Sequence, residues 1–183
     1  MKPIATTIKR HPFVTFALWS YLLSWWPALV PSFEQSFGIV IPPHGPSIAA
    51  IIVTAIVGGG AAVKLLLSRL VRWRIGLKWY VIAIGLTLLI TLGAVALNVL
   101  LGAPAPTSEQ LSGWSELPFS FVFLFLLAGA AEELGWRGFA QPYLQQRYSA
   151  LTSAVILSVV GVVWHLPLFL TGNIAPPDVP LIF

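Results

Sequence analysis

From Trp79 to Leu101 the chain passes without one charged residue. At 1.5 Å per residue a helix of that length crosses a hydrocarbon core of ~30 Å. Further apolar runs lie at 13–30, 48–67, 117–138 and 150–170. The expected fold is therefore all-α: a single transmembrane domain over 1–183, polytopic, with about five membrane-spanning helices. Composition agrees, since 57% of residues are hydrophobic and only 9% charged, where a soluble domain carries about 25%.

The first run follows Lys2, Lys9, Arg10 and Pro12, a basic start that could open a signal peptide. It is long for a signal core, and Trp25-Trp26-Pro27 stands where small residues would mark cleavage. It reads as an uncleaved first helix with the Trp pair at the membrane interface. Within the second run, Gly58-Gly59-Gly60 lacks the Lys-Ser/Thr of a phosphate-binding loop, so a kink or close helix packing is expected. Lys64, Arg69, Arg72, Arg74 and Lys78 then gather around Trp73. They read first as a topology determinant and second as a site for anionic membrane lipid.

All ten Lys and Arg fall in the N-terminus, in 64–78 and in 137–147; none falls in 31–46, in 102–116 or in the tail. The positive-inside bias puts the N-terminus and both basic segments in the cytoplasm and the tail outside. The net charge of +4 does not indicate nucleic acid, because the basic residues flank spans rather than forming a solvated face with aromatic platforms. Cysteine is absent, which removes disulfides, thiolate metal sites and thiol nucleophiles.

Against this oily background Glu132, Glu133, Arg137 and His165 are costly. At about 2.5–3.5 kcal/mol for each central ionised group, two Glu and one Arg cost on the order of 8 kcal/mol. Such groups are expected to face a hydrated, protein-lined cavity and to pair. Glu133 and Arg137 stand four apart, on one helix face one turn apart. Glu132 is rotated about 100° from Glu133, so it stays free when Arg137 neutralises Glu133. Two neighbouring carboxylates in a low-dielectric pocket suit a group that takes and returns a proton near neutral pH.

Glu132 and His165 are equidistant from Tyr148-Ser149, just past the polar Gln145-Gln146-Arg147. If the fourth and fifth helices form an antiparallel hairpin turning there, the two residues meet at one depth. Pro142 would bend or restart the helix on the way. Ala128, Gly129, Ala130, Ala131 and Gly135 allow a neighbouring backbone close. A carboxylate and an imidazole facing one cavity can activate water for attack on a carbonyl, or share a metal. Neither a Ser-His-Asp pattern nor an H-E-x-x-H helix is present. The bland alternative is a structural Glu133–Arg137 pair with Trp164-His165 at the interface. His11 and His44 read as solvated loop residues, Asn173 and Asp178 as turn residues of the tail.

At Ala131 to Phe139, A-E-E-L-G-W-R-G-F, and at Gly161 to Phe169, G-V-V-W-H-L-P-L-F, the chain resembles the CAAX-protease and bacteriocin-processing (CPBP, or ABI) family of intramembrane proteases. Leu66 to Tyr80 also looks like the segment that bacterial members carry before their third span. The resemblance implies peptide-bond hydrolysis within the membrane of a peptide or protein substrate, including lipidated CAAX proteins in eukaryotic relatives. It implies a bacterial cell membrane, where relatives are linked to bacteriocin maturation or immunity. Carried over by motif, Glu132 would be the general base on water or a metal ligand. Glu133 would orient the site, paired to Arg137, and His165 would hold the water or metal. The resemblance leaves open whether a divalent metal such as zinc takes part.

Two departures stand out. The family often has Phe four residues before its second-motif His, where this chain has Gly161. A third motif, His followed four residues later by Asn or Asp, has no counterpart after His165. The expectation is an intramembrane glutamate-dependent peptidase truncated before that motif, or one lacking the oxyanion-stabilising half of its site. The alternative from another class is a non-catalytic membrane immunity or scaffold protein that keeps a degenerate site. A proton-coupled transporter would use the same carboxylates as a relay, but the paired repeats it favours are not found.

Overall fold

Two small-residue faces set the first contact of the fold. Helix α1 (Lys2–Arg10) ends at His11, and Pro12 opens α2 (Pro12–Trp25), where a missing N–H costs nothing. On α2, Ser20 and Ser24 are fully buried. They meet the start of α3 (Gly45–Leu67) at Gly45, where an added Cβ would lie 2.0 Å from Ser24 Oγ and 2.8 Å from the Ser20 carbonyl. Ser24 Oγ donates to the Pro42 carbonyl at 2.9 Å, and Ser20 Oγ to the Phe16 carbonyl at 2.8 Å. The hydroxyls are therefore satisfied in a contact that only small residues permit.

This computed structural model describes residues 2–30, 32–33, 36, 40–108 and 115–171. Glu109, Asn173 and Asp178 lie outside them. All regular secondary structure among the described residues is helical, with no strand. After α3 come α4 (Leu77–Leu100), α5 (Leu117–Leu124), α6 (Ala130–Glu133), α7 (Gln141–Gln145) and α8 (Ala150–Leu170). Gly45–Val71, Leu77–Leu100 and Ala150–Leu170 are long and apolar enough to cross a membrane. The all-α membrane fold expected from the apolar runs is the fold observed.

The chain divides into two units, Met1–Leu70 with Phe123–Phe183, and Val71–Val122. In the second, α4 buries none of its residues. A helix apolar all round belongs in lipid. The first unit holds the core, with Phe16, Ala49, Ala50, Val53, Ala140 and Trp164 almost completely buried.

Three expected elements take a different local form. The first run is α-helical only to Trp25 and continues as a 3₁₀ turn, Trp26–Leu29. Its Trp pair divides: Trp26 is exposed, whereas Trp25 turns into the bundle and donates Nε1–H to the Trp164 carbonyl at 2.9 Å. The glycine triplet kinks α3 at Gly59, at φ 71° and ψ −170°, a conformation closed to other residues. The kink lets one helix touch the same short segment twice, with Pro46 against Gly135 and Leu66 against Gly138.

The third difference bears on function. The run 117–138 is not one regular α-helix: wide π turns at Phe125–Gly129 and Leu134–Ala140 bracket the single α turn Ala130–Glu133. Pro142 offers a local cause for the second. It has no N–H to return to the Gly138 carbonyl, and its ring crowds that carbonyl in a regular helix. A wider turn relieves the crowding, and the Arg69 guanidinium donates to the Gly138 carbonyl.

Candidate active site

The hairpin expected around Tyr148-Ser149 is present. Helix α7 ends at Gln145, and Ser149 caps α8, accepting from the Thr152 N–H at 3.1 Å. Beyond this turn the two arms enclose a cavity of about 360 Å³. Glu132, Glu133, Trp136, Arg137 and Gln141 line it from one arm; Ala154, Leu157, Ser158, Gly161 and His165 line it from α8. The α8 residues stand at i, i+3, i+4, i+7 and i+11 and so form one face. All four residues singled out in the sequence line this one space.

Aromatic packing sets the aim of each arm. Phe16 meets the Trp136 ring edge-to-face at 5.3 Å, Trp136 meets Trp164 at 5.9 Å and 74°, and Trp164 stands at 88° to His165 with centroids 4.7 Å apart. Trp164 is 1% exposed, so it is a core residue rather than an interfacial one. From α2, Tyr21 donates its hydroxyl to the Val160 carbonyl at 2.9 Å, one turn before the Trp25–Trp164 bond. The two donors stack at 4.9 Å and 7°. Helix α8 is thereby held in rotation immediately next to Gly161 and His165.

His165 Nδ1 lies 2.8 Å from the Gly161 carbonyl oxygen. A carbonyl only accepts, so Nδ1 carries the proton and the neutral ring keeps Nε2 as an acceptor. Glu133 and Arg137 form the expected pair, Nε to carboxylate 3.5 Å, with both side chains about half exposed. Glu132 is partly buried, and its electrostatic neighbours are the His165 ring and the Glu133 carboxylate. The result is one carboxylate held by a guanidinium and one left beside an imidazole.

Sequence reasoning missed part of the lining. Gln141 and Ser158 add polar groups, while Ala154 and Gly161 supply space; a Cβ on Gly161 would meet nothing within 4 Å. The i, i+4 and i+7 spacing of Ala154, Ser158 and Gly161 was the available signal. Metal fit is limited: a catalytic zinc takes three protein ligands, and the described residues contain no group of three His, Asp or Glu placed to hold an ion.

An all-α membrane protein with two carboxylates and an imidazole around one cavity is a candidate hydrolase. Comparison with known proteins agrees with that class. Residues 114–182 match the family described as type II CAAX prenyl endopeptidase Rce1-like, a segment that includes both sequence motifs. Over 85 residues the chain is 38% identical to a CAAX prenyl protease 2 of Methanococcus maripaludis, covering 43% of this chain and 31% of that protein. The match thus spans about a third of the relative's length. No solved structure matches.

Proposed function

We propose that this chain acts as an intramembrane endopeptidase of CAAX-protease type on a peptide or protein substrate that can be lipidated, with Glu132 and His165 activating the water. The observation that carries the reading is the meeting of Glu132 and His165 in one cavity, beside a Glu133–Arg137 pair that leaves Glu132 unneutralised. A water between the Glu132 carboxylate and His165 Nε2 gives one proton to Glu132 and donates its other hydrogen to Nε2. Its oxygen attacks the scissile carbonyl carbon, and the C=O π electrons move onto the carbonyl oxygen. On collapse of this intermediate the C–N bond breaks, and Glu132 returns the proton to the leaving amine. Gln141 and Ser158 are the neighbouring polar side chains able to hold the peptide backbone. The basic segments support a cytoplasmic N-terminus.

The test is Glu132→Gln in the longest form of the protein that cleaves. A general base contributes about 10²–10⁴-fold, so cleavage is expected to fall by at least a hundredfold while membrane expression persists. Cleavage retained by that variant would overturn the assignment, and a well-folded wild type that cleaves no peptide would favour the non-catalytic scaffold reading.

A further inference from the structure

At the junction of α1 and α2 a second cavity, of about 330 Å³, is lined by Arg10, His11, Phe13 and Val14 on one side and by Tyr143, Leu144, Arg147 and Tyr148 on the other. Two guanidinium groups and an imidazole face it, and no carboxylate lines it among the described residues. Neither arginine has an ion-pair partner among those residues. Like charges gathered at one cavity repel unless an anion joins them. Helix α2 begins at the same place without a side-chain cap, and its positive dipole end adds to the field.

The cations are not loose. Arg147 lies over the Tyr143 ring at 4.6 Å. Tyr143 stacks on Phe13 at 6.5 Å and 7°, and on Phe139 at 6.1 Å and 14°. A guanidinium held on an aromatic stack is pre-organised, which lowers the cost of binding. From Val14 an exposed apolar row runs down α2 through Leu18 and Leu22, at 54%, 60% and 69% exposure. These residues are four apart, so the row lies along one face. A cationic pocket above an apolar track has the two chemistries of a phospholipid.

We propose that this cavity binds the phosphate of an anionic phospholipid between Arg10 and Arg147, with an acyl chain along Val14, Leu18 and Leu22. The site is separate from the Glu132–His165 cavity and does not depend on any peptidase activity. A lipid there ties the α1–α2 junction to the α7–α8 turn, the hinge of the hairpin that carries the candidate active site.

The test is thermal unfolding of the detergent-purified full chain, followed by the fluorescence of its eight Trp. Phosphatidylglycerol, phosphatidylcholine and inorganic phosphate are added separately. Phosphatidylglycerol at a hundredfold excess over its Kd is expected to raise Tm by about 5–10 °C. Phosphatidylcholine and inorganic phosphate are expected to give less than a fifth of that shift. Arg10→Gln/Arg147→Gln should abolish it, and Arg72→Gln/Arg74→Gln, in the other basic segment, should keep it. Should the double variant at the pocket fail to fold, Arg10→Gln alone, at the exposed end of α1, should raise the lipid Kd at least tenfold. An unchanged shift in the pocket variants overturns the proposal. So does an equal loss in the Arg72/Arg74 variant, which means diffuse charge attraction, or an equal shift with inorganic phosphate, which means a free-anion site.

Discussion

His165 turns its Nδ1 back onto the carbonyl of Gly161, one turn earlier in the same helix, at 2.8 Å. This bond fixes the tautomer and points the acceptor nitrogen away from the helix backbone. In protein carrying ¹⁵N-labelled histidine, at a pH where the ring is neutral, His165 is expected to show a protonated Nδ1 and a bare Nε2. The opposite tautomer would remove the acceptor from the proposed water.

The clamp from α2 makes a second prediction. Tyr21→Phe removes one hydrogen bond to the Val160 carbonyl and should cost about 1 kcal/mol of stability. Trp25→Phe removes the bond to the Trp164 carbonyl and part of the stack with Tyr21, and should cost more. Because the rings touch, the losses should couple by about 0.5 kcal/mol or more in the double variant. Unfolding in detergent for the two single variants and the pair measures this directly. Strict additivity would mean that the two donors act independently.

Gly135 and Gly161 should respond in opposite ways. A Cβ on Gly135 would fall 2.5 Å from the Pro46 carbonyl carbon and oxygen, so Gly135→Ala forces α3 away from the π turn. Overpacking of this kind costs about 1–3 kcal/mol. A Cβ on Gly161 enters open space, so Gly161→Ala should fold normally and narrow the cavity beside His165. Thermal unfolding separates the two, and equal destabilisation would contradict the described packing.

Gly59→Ala addresses the kink. At φ 71° an L side chain is strained by about 1–3 kcal/mol. The variant should lose that stability or straighten α3 and withdraw Arg69 from the Gly138 carbonyl. Cysteines introduced at Leu66 and Gly138, where a Cβ on Gly138 would lie 3.4 Å from Leu66 Cδ1, should cross-link in an otherwise wild-type chain and cross-link less beside Gly59→Ala.

Much of this arrangement was legible in the sequence because its signals are local. The glycine triplet announced a kink, the polar Gln145–Arg147 stretch announced a turn, and the four-residue spacing of Glu133 and Arg137 announced their pair. The equal distance of Glu132 and His165 from the turn placed both at one cavity. The π turns are not legible in the apolar spacing, which fits an α period throughout; Gly135, Gly138 and Pro142 are the residues that could signal them. Wide turns of this kind recur at functional sites. The role of Trp25 is hidden in the sequence for a different reason. Its partner is 139 residues away, and nothing local distinguishes a lipid-facing Trp from one that donates to a distant carbonyl.

That separation has a consequence for biosynthesis. Tyr21 with Val160, and Trp25 with Trp164, are each 139 residues apart. At about 5–20 residues per second, a ribosome needs roughly 7–28 s to deliver the second partner after the first. Until then α2 waits with its tyrosine and indole donors unmatched by these carbonyls. The His165 imidazole can be locked into place only once α8 has been made, so the cavity that it lines forms late in the synthesis of these residues.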